Sequence, residues 1–331
     1  AEGKLWDELE KILCAKAREG VEVKIIFDDF GNIKRFSGET IDRLREVGVE
    51  VFIFNPVHEY VNRLHFNYRD HRKIACIDGD VAYTGGVNIA DEYANLIERF
   101  GYWKDSGVCL EGEGAWGLTA SFIRMCVNLG GVMHNEHDYY RPHTPVKSEG
   151  FCQPFTDGPQ NNPDNPAEDV FLQMISGARR FLYITTPYFI PDESLMRALC
   201  IAGDGGVDVR LMLPGKPDHW YADCVAESYF GELIKHGVKV YRYTPGFLHG
   251  KSIMVDREAA FVGSANMDYR SFELDYECGV MVYSAPMIES LLEDMDMIVD
   301  RSHLVTAEEW AKRSVLRRVF EPLLRLFAIW M

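Results

Sequence analysis

Two hydrophobic periods alternate along this chain. Leu5 to Ala17 carries apolar residues at helical spacing. Gly20-Val21-Glu22-Val23-Lys24-Ile25-Ile26-Phe27 then alternates like a strand and ends in Asp28-Asp29-Phe30-Gly31, a polar stop expected to cap a loop. Ser37 to Val47 reads as a helix closed by Gly48, and Val49 to Phe54 as another strand. Helices alternating with short apolar strands predict an α/β protein.

The second half follows the same plan. Asn165-Pro166 predicts an N-cap followed by proline at the first helical position, opening a helix to about Arg179. Phe181 to Thr185 is a predicted strand, Asp192 opens a helix to about Ala202, and Gly206 to Leu213 is a strand. Asp218 to His236 predicts a helix and Val238 to Tyr243 a strand. Ser148 to Asp164 is rich in Gly, Pro, Asn and Asp and reads as a linker.

These halves are copies of one unit. Gly20-Val21-Glu22-Val23 matches Gly206-Val207-Asp208-Val209, and Gly48-Val49-Glu50-Val51 matches Gly237-Val238-Lys239-Val240. Further on, His71, Lys73, Asp78, Gly85 and Asn88 align without gaps with His249, Lys251, Asp256, Gly263 and Asn266. The expected organisation is a first half at 1–147, a second at 148–305 related to it by a pseudo-twofold, and a tail at 306–331.

Both copies contain H-x-K-x-x-x-x-D followed by G-x-x-N. On a strand, residues two apart share a face, so His and Lys project together while Ile74, Cys76, Ile253 and Val255 pack behind. Facing copies would place two imidazoles, two ammonium groups and two amides in one pocket. That set suits a phosphodiester. One histidine attacks phosphorus; the other protonates the leaving alkoxide and later deprotonates the incoming nucleophile. Lys73, Lys251, Asn88 and Asn266, with Ser264 beside the last, would hold the non-bridging oxygens. Neither cofactor nor metal is required. His134-x-x-His137 with Asp138 and His143 lacks the spacing of strong zinc motifs and reads as a solvated loop.

Composition narrows the partners. The formal net charge of −16 disfavours nucleic acid, whereas a compact anionic headgroup needs only a local positive pocket. The eight cysteines form no C-x-x-C pair and read as reduced thiols. No apolar run reaches the ~18 residues of a membrane span.

The duplicated motif resembles that of the phospholipase D superfamily, and longer stretches are similar to bacterial cardiolipin synthases. They include Tyr68-Arg69-Asp70-His71-Arg72-Lys73-Ile74, Gly85-Gly86-Val87-Asn88-Ile89-Ala90-Asp91-Glu92-Tyr93, Thr186-Pro187-Tyr188-Phe189-Ile190-Pro191-Asp192-Glu193, Pro214-Gly215-Lys216-Pro217-Asp218-His219 and Tyr243-Thr244-Pro245-Gly246-Phe247-Leu248-His249. Asp70 and Gly250 depart from the usual Asn and Ala or Ser. The resemblance implies two α/β sandwich halves with mixed, mostly parallel sheets flanked by helices. It implies transfer of a phosphatidyl group between two phosphatidylglycerols through a phosphatidyl-histidine, giving cardiolipin and glycerol, with family precedent favouring His71 as nucleophile. It implies an anionic bacterial membrane surface with the catalytic part on the cytoplasmic side, and membrane helices, with a strand and a helix, upstream of this chain's first residue. Hydrolytic phospholipase D or a nuclease of the superfamily is the rival reading.

A second pair emerges from the repeat. Asp105, in Trp103-Lys104-Asp105-Ser106-Gly107-Val108, aligns with Glu277, in Asp275-Tyr276-Glu277-Cys278-Gly279-Val280. A carboxylate there can orient an imidazole by hydrogen bonding its N–H. In the superfamily the Asp closing each H-x-K motif is more often structural, so Asp78 and Asp256 are assigned to the motif and Asp105 and Glu277 to the histidines. Last, apolar residues between Trp310 and Met331 recur on one face, with Lys312, Arg313, Arg317, Arg318 and Arg325 opposite, predicting an amphipathic helix docked on the second half or touching lipid.

Overall fold

The alternating runs fold as strands, and the periodic runs cover them. The computed structural model describes residues 3–32, 38–56, 67–134, 138–148, 150–159, 165–314, 317–318 and 323–325. In the first half, helix Lys4–Arg18 precedes strand Lys24–Asp28, helix Gly38–Glu46 and strand Glu50–Phe54, and the two strands pair in parallel. The first helix has no side-chain cap of its own; Asp91 supplies one, accepting from the N–H groups of Lys4 at 3.1 Å and Leu5 at 2.9 Å. Trp6, Leu44, Val49 and Val51 form a small core beneath.

The first motif lies on a separate antiparallel sheet, Ile74–Ile77 with Val81–Gly85 and Gly107–Glu111. In the second half the equivalent strands Ser252–Val255 and Ala259–Gly263 belong to one large sheet. Strand Phe181–Thr185 joins them to the parallel strands Asp208–Pro214 and Lys239–Tyr243. Among the described residues no strand fills that joining place in the first half, and its sheet is divided. Ile77 is accordingly exposed, whereas Ser252–Val255 is buried throughout.

The sheets are mixed, as expected, with the balance set by connections. Asp208–Pro214 pairs in parallel with Phe181–Thr185 and Lys239–Tyr243, to which helices connect it; the hairpin Ser252–Val255 with Ala259–Gly263 and the pairings around it run antiparallel and are the more numerous in the large sheet. The expected linker contains a strand. Phe151–Asp157 pairs antiparallel along Asp275–Tyr283 as an edge, where Pro154 is tolerated. Its last residue, Asp157, accepts from the N–H of Ala167 at 2.9 Å and caps helix Pro166–Gly177. Asn165, expected to be that cap, is left-handed and instead donates to Glu168 at 2.9 Å.

The tail differs from one long helix. Helix Ala307–Ala311 is closed at its start by a Thr306–Glu309 capping box and ends at Lys312. Trp310 packs on Phe230 with ring centroids 5.6 Å apart, and Arg317 reaches Glu227 at 2.7 Å. The apolar positions 315, 316, 319, 320, 327 and 330 lie outside the described residues.

Two larger cores hold the molecule together. One lies between the large sheet and helices Pro166–Gly177, Glu193–Asp204 and Trp220–Lys235. The other crosses between halves, packing Ala82, Val108, Leu110 and Leu118 against Met254, Val262, Cys278 and Val280. That shared core presses the two motif strands together.

Candidate active site

Each histidine is carried to the other half's acid by a short parallel pairing. Arg69–Asp70 pairs with Asp275 and Tyr276, and Gly246–Leu248 pairs with Tyr102–Lys104. The next residues continue the registers: the His71 N–H donates to Tyr276 O at 2.9 Å, and the His249 N–H to Lys104 O at 2.6 Å. One step further, His71 Nδ1 meets Glu277 Oε1 at 2.8 Å and His249 Nδ1 meets Asp105 Oδ2 at 2.7 Å. Ionised carboxylates only accept, so Nδ1 carries the proton on both rings and Nε2 keeps a lone pair. Asp28 supports the first pairing, accepting from the Asp70 N–H at 2.9 Å and from Arg69 at 3.2 Å.

The lysines lie just outside the strands expected to carry them: residues 71–73 link Arg69–Asp70 to Ile74–Ile77, and residues 249–251 link Gly246–Leu248 to Ser252–Val255. Lys73 Nζ donates to His71 O at 2.5 Å. Lys251, 1% exposed, donates to His249 O at 2.6 Å and sits 2.9 Å from both nitrogens of that ring. Burial drives the Lys251 ammonium down to about 7 and lowers Lys73 as well. Burial and then Lys251 bring His249 down to about 4 against the pull of Asp105. His71 is also lowered by burial, although Glu277 opposes this and 26% of its side chain stays open. Burial resists ionisation of Glu277, but His71, Lys73 and Ser264 outweigh it and take the carboxyl down to about 2. Asp105 is lowered likewise, with His249, Lys251 and the Ser106 N–H overcoming burial.

The expected phosphate ligands divide. Asn266 is 7% exposed and its Oδ1 has no partner. Asn88 Nδ2 donates to Tyr93 Oη at 2.6 Å. Ser264 differs from the expectation: fully buried, its hydroxyl donates to Glu277 Oε2 and accepts from the Cys278 N–H at 3.0 Å, so it faces the carboxylate and not the pocket. The first half has Gly86 at that place, where a Cβ would lie 2.2 Å from Asp105 Oδ1.

The motif aspartates stand apart from the imidazoles. Asp256 accepts the backbone N–H groups of Arg179, Arg180 and Phe181 at 2.8–2.9 Å, tying the hairpin to the start of a neighbouring strand. Asp78 is exposed in its turn. The reading missed Ser271, which donates to Glu277 Oε1 at 2.8 Å and accepts from the Asn266 N–H at 3.0 Å. It also missed the aromatic wall at His249, where Tyr93 lies 5.1 Å, Trp103 5.4 Å and Phe247 5.7 Å away by ring centroid. In the repeat Ser271 falls opposite Tyr93, and a broken match is a weak signal.

Among the described residues, His71, Asp275 and Glu277 gather ligand-type atoms within 4.8 Å. They fit a cation poorly. Glu277 Oε1 already accepts from His71 and Ser271, burial holds the Asp275 carboxyl well above its usual range, and Lys73 is adjacent. His134 stacks on Tyr139 at 3.9 Å and His143 gives only its N–H to Asp80, while position 137 lies outside the described residues. A larger cleft of about 620 Å³, lined by Arg197, His236 and Arg325, lies on the outer helices and not at the histidines.

Comparison with known proteins identifies the family. A family model described as cardiolipin synthase, PLD-like domain, matches residues 6–98 and 171–299. A cardiolipin synthase of Halalkalibacterium halodurans is 37% identical over 98% of this chain, which spans 64% of that protein. The major cardiolipin synthase of Bacillus subtilis is 38% identical over 98% of the chain, which spans 67% of its length. Among solved structures, phosphatidylserine synthase of Haemophilus influenzae superposes with a TM-score of 0.65 at 14% identity, over 97% of this chain and 90% of that one. That likeness speaks to fold alone.

Proposed function

The chain belongs to the cardiolipin synthase family with a phospholipase D-like domain, and on that premise we propose that it transfers a phosphatidyl group from one phosphatidylglycerol to another. The two halves, 1–147 and 148–305, contribute equally to one site, and 306–331 is a tail. The observation that carries the reading is the reciprocal His–acid pairing, which holds two imidazoles by their Nδ1 atoms beside two lysines.

In the first step His71 Nε2 attacks phosphorus and the bond to the glycerol oxygen breaks. His249 gives its Nε2 proton to that oxygen, and glycerol leaves. In the second step neutral His249 takes the proton from the terminal hydroxyl of a second phosphatidylglycerol. That oxygen attacks phosphorus, the P–N bond breaks, and His71 is restored. His71 is assigned as nucleophile because its ring is the more open. His249 must be protonated to act first; an arriving phosphodiester anion favours this by raising its pKa. Lys73, Lys251, Asn88 and Asn266 hold the non-bridging oxygens, while Asp105 and Glu277 orient the rings and stabilise the imidazolium formed. The membrane is the expected location. Among the described residues no helix is long and apolar enough to cross one, which fits a part working at a lipid surface as well as any other placement.

The test is incubation with labelled phosphatidylglycerol vesicles, separation of lipid products by mass, and peptide mapping of acid-quenched enzyme. Cardiolipin with label on His71 is expected. Phosphatidic acid as sole product would favour the hydrolytic alternative, and label on His249 would exchange the two roles.

A further inference from the structure

The two histidines stand in unlike surroundings. Around His71 the neighbours are ionic and hydroxylic: Glu277, Lys73, and the serines behind Glu277. Around His249 they are aromatic. The parallel register sets Phe247 beside Trp103, with ring centroids 4.7 Å apart, and Tyr93 closes the wall 4.3 Å from Trp103. Phe247 continues this surface toward Tyr188, 6.5 Å away, and helps line a narrow crevice with Pro187, Asp218 and His219.

Two polar atoms on this wall have no partner. Trp103 is 6% exposed, and its Nε1 donor is buried and unpaired. Asp218 receives Tyr188 Oη on Oδ2 at 2.6 Å, and His219 Nδ1 approaches at 2.9 Å, but its Oδ1 is buried and unpaired. A chain of rings joins the two: Trp103 lies 4.7 Å from Phe247, Phe247 6.5 Å from Tyr188, and the Tyr188 hydroxyl donates to Asp218 at 2.6 Å. Buried polar atoms are satisfied in the great majority of cases, so a donor and an acceptor left open along one aromatic wall that reaches His249 call for a ligand. The crevice at Asp218 measures about 10 Å³, room for one water-sized group. Aromatic faces with one lone donor and one lone acceptor match a short polyol, whose carbon edges lie on rings while its hydroxyls both accept and donate.

We propose that Trp103, Tyr188 and Asp218 form a polyol subsite on the His249 side, which reads the free hydroxyls of the glycerol attached to the scissile phosphate. Asp218 Oδ1 accepts from one hydroxyl and Trp103 Nε1 donates to another, which sets the glycerol oxygen against His249. This rests on the phosphatidyl-transfer reading and deepens it: the subsite selects a glycerol headgroup over one that lacks hydroxyls. A site built to hydrogen-bond a hydroxyl rejects the analogue without it, because its own buried groups are then left unpaired.

The test uses binding, so that it stands apart from turnover. Glyceryl propyl phosphate and dipropyl phosphate, which differ only in the glycerol hydroxyls, are titrated into the whole chain by calorimetry. The intact protein should bind the first about tenfold or more tighter than the second. Asp218→Asn and, separately, Trp103→Phe should each cut that ratio to about threefold or less, with folding checked by near-ultraviolet circular dichroism. Equal binding of the two ligands by the intact protein overturns the subsite, whether or not the variants fold. A ratio unchanged in both folded variants also overturns it. Either result leaves phosphatidyl transfer, read from vesicle products, untouched.

Discussion

Glu277 accepts from His71 Nδ1 at 2.8 Å although 206 positions separate them, and His249 and Asp105 repeat the bond at 2.7 Å. The pairings are crossed, so neither half holds a complete His–acid couple. Glu277 is the more firmly set of the two acids, since Ser264 and Ser271 both donate to it.

Glu277→Gln should therefore leave the fold intact and lower kcat by about 10³-fold or more, because a neutral amide no longer offsets the imidazolium and can turn its NH2 to Nδ1, favouring the other tautomer. Ser271→Ala should cost less, about tenfold, by loosening that carboxylate. Vesicle assays with thermal melts check both. A Glu277→Gln enzyme of normal rate would remove the acid from the mechanism.

His249 should contribute a loss of stability in acid, opposed over the same range by the Glu168 and Asp268 carboxyls, which burial raises to about 7 and about 6. The folded His249 pKa of about 4 lies below the ordinary value of 6.5. The unfolded chain therefore binds the extra proton first, and stability present above pH 6.5 is lost as pH falls toward 4, by up to about 3 kcal/mol. Glu277, lowered to about 2, adds a loss between pH 4.5 and 2. Urea unfolding of the intact protein and of His249→Gln from pH 7 to 4 should differ by this slope. Equal slopes in the two proteins would contradict the assignment.

The motif aspartates should behave unequally. Asp256→Ala strands three backbone N–H donors and should cost about 2–4 kcal/mol. Asp78→Ala, in an exposed turn, should cost under about 1 kcal/mol. Denaturant midpoints measure both, and the Asp78 variant should keep its rate within about threefold.

Ending the chain at Thr306 should lower stability by about 2 kcal/mol, because Phe230, 2% exposed, loses the Trp310 ring packed on it. Scanning calorimetry would register a fall in Tm of several degrees. An unchanged Tm would mean that the tail adds nothing to the core.

The sequence by itself determined what depends on local pattern and on the repeat. Period-two and helical spacing placed strands such as Lys24–Asp28 and helices such as Gly38–Glu46, because the side chain's face follows from backbone period alone. The gapless match of His71-x-Lys73 with His249-x-Lys251 made the paired chemistry legible without coordinates. Tertiary structure decided what depends on partners far along the chain. Phe151–Asp157 became a strand because Asp275–Tyr283 offered an edge, overriding a composition that suits a loop. Ser264 turned from the pocket to Glu277 on a neighbouring strand of its own half, and Trp103 and Tyr93 came to His249 through packing between halves that no local period encodes. Which acid serves which histidine is the plainest case: the alignment offers Asp105 and Glu277 as equivalents, and only the exchanged pairing of strands across the pseudo-twofold gives each to the opposite half.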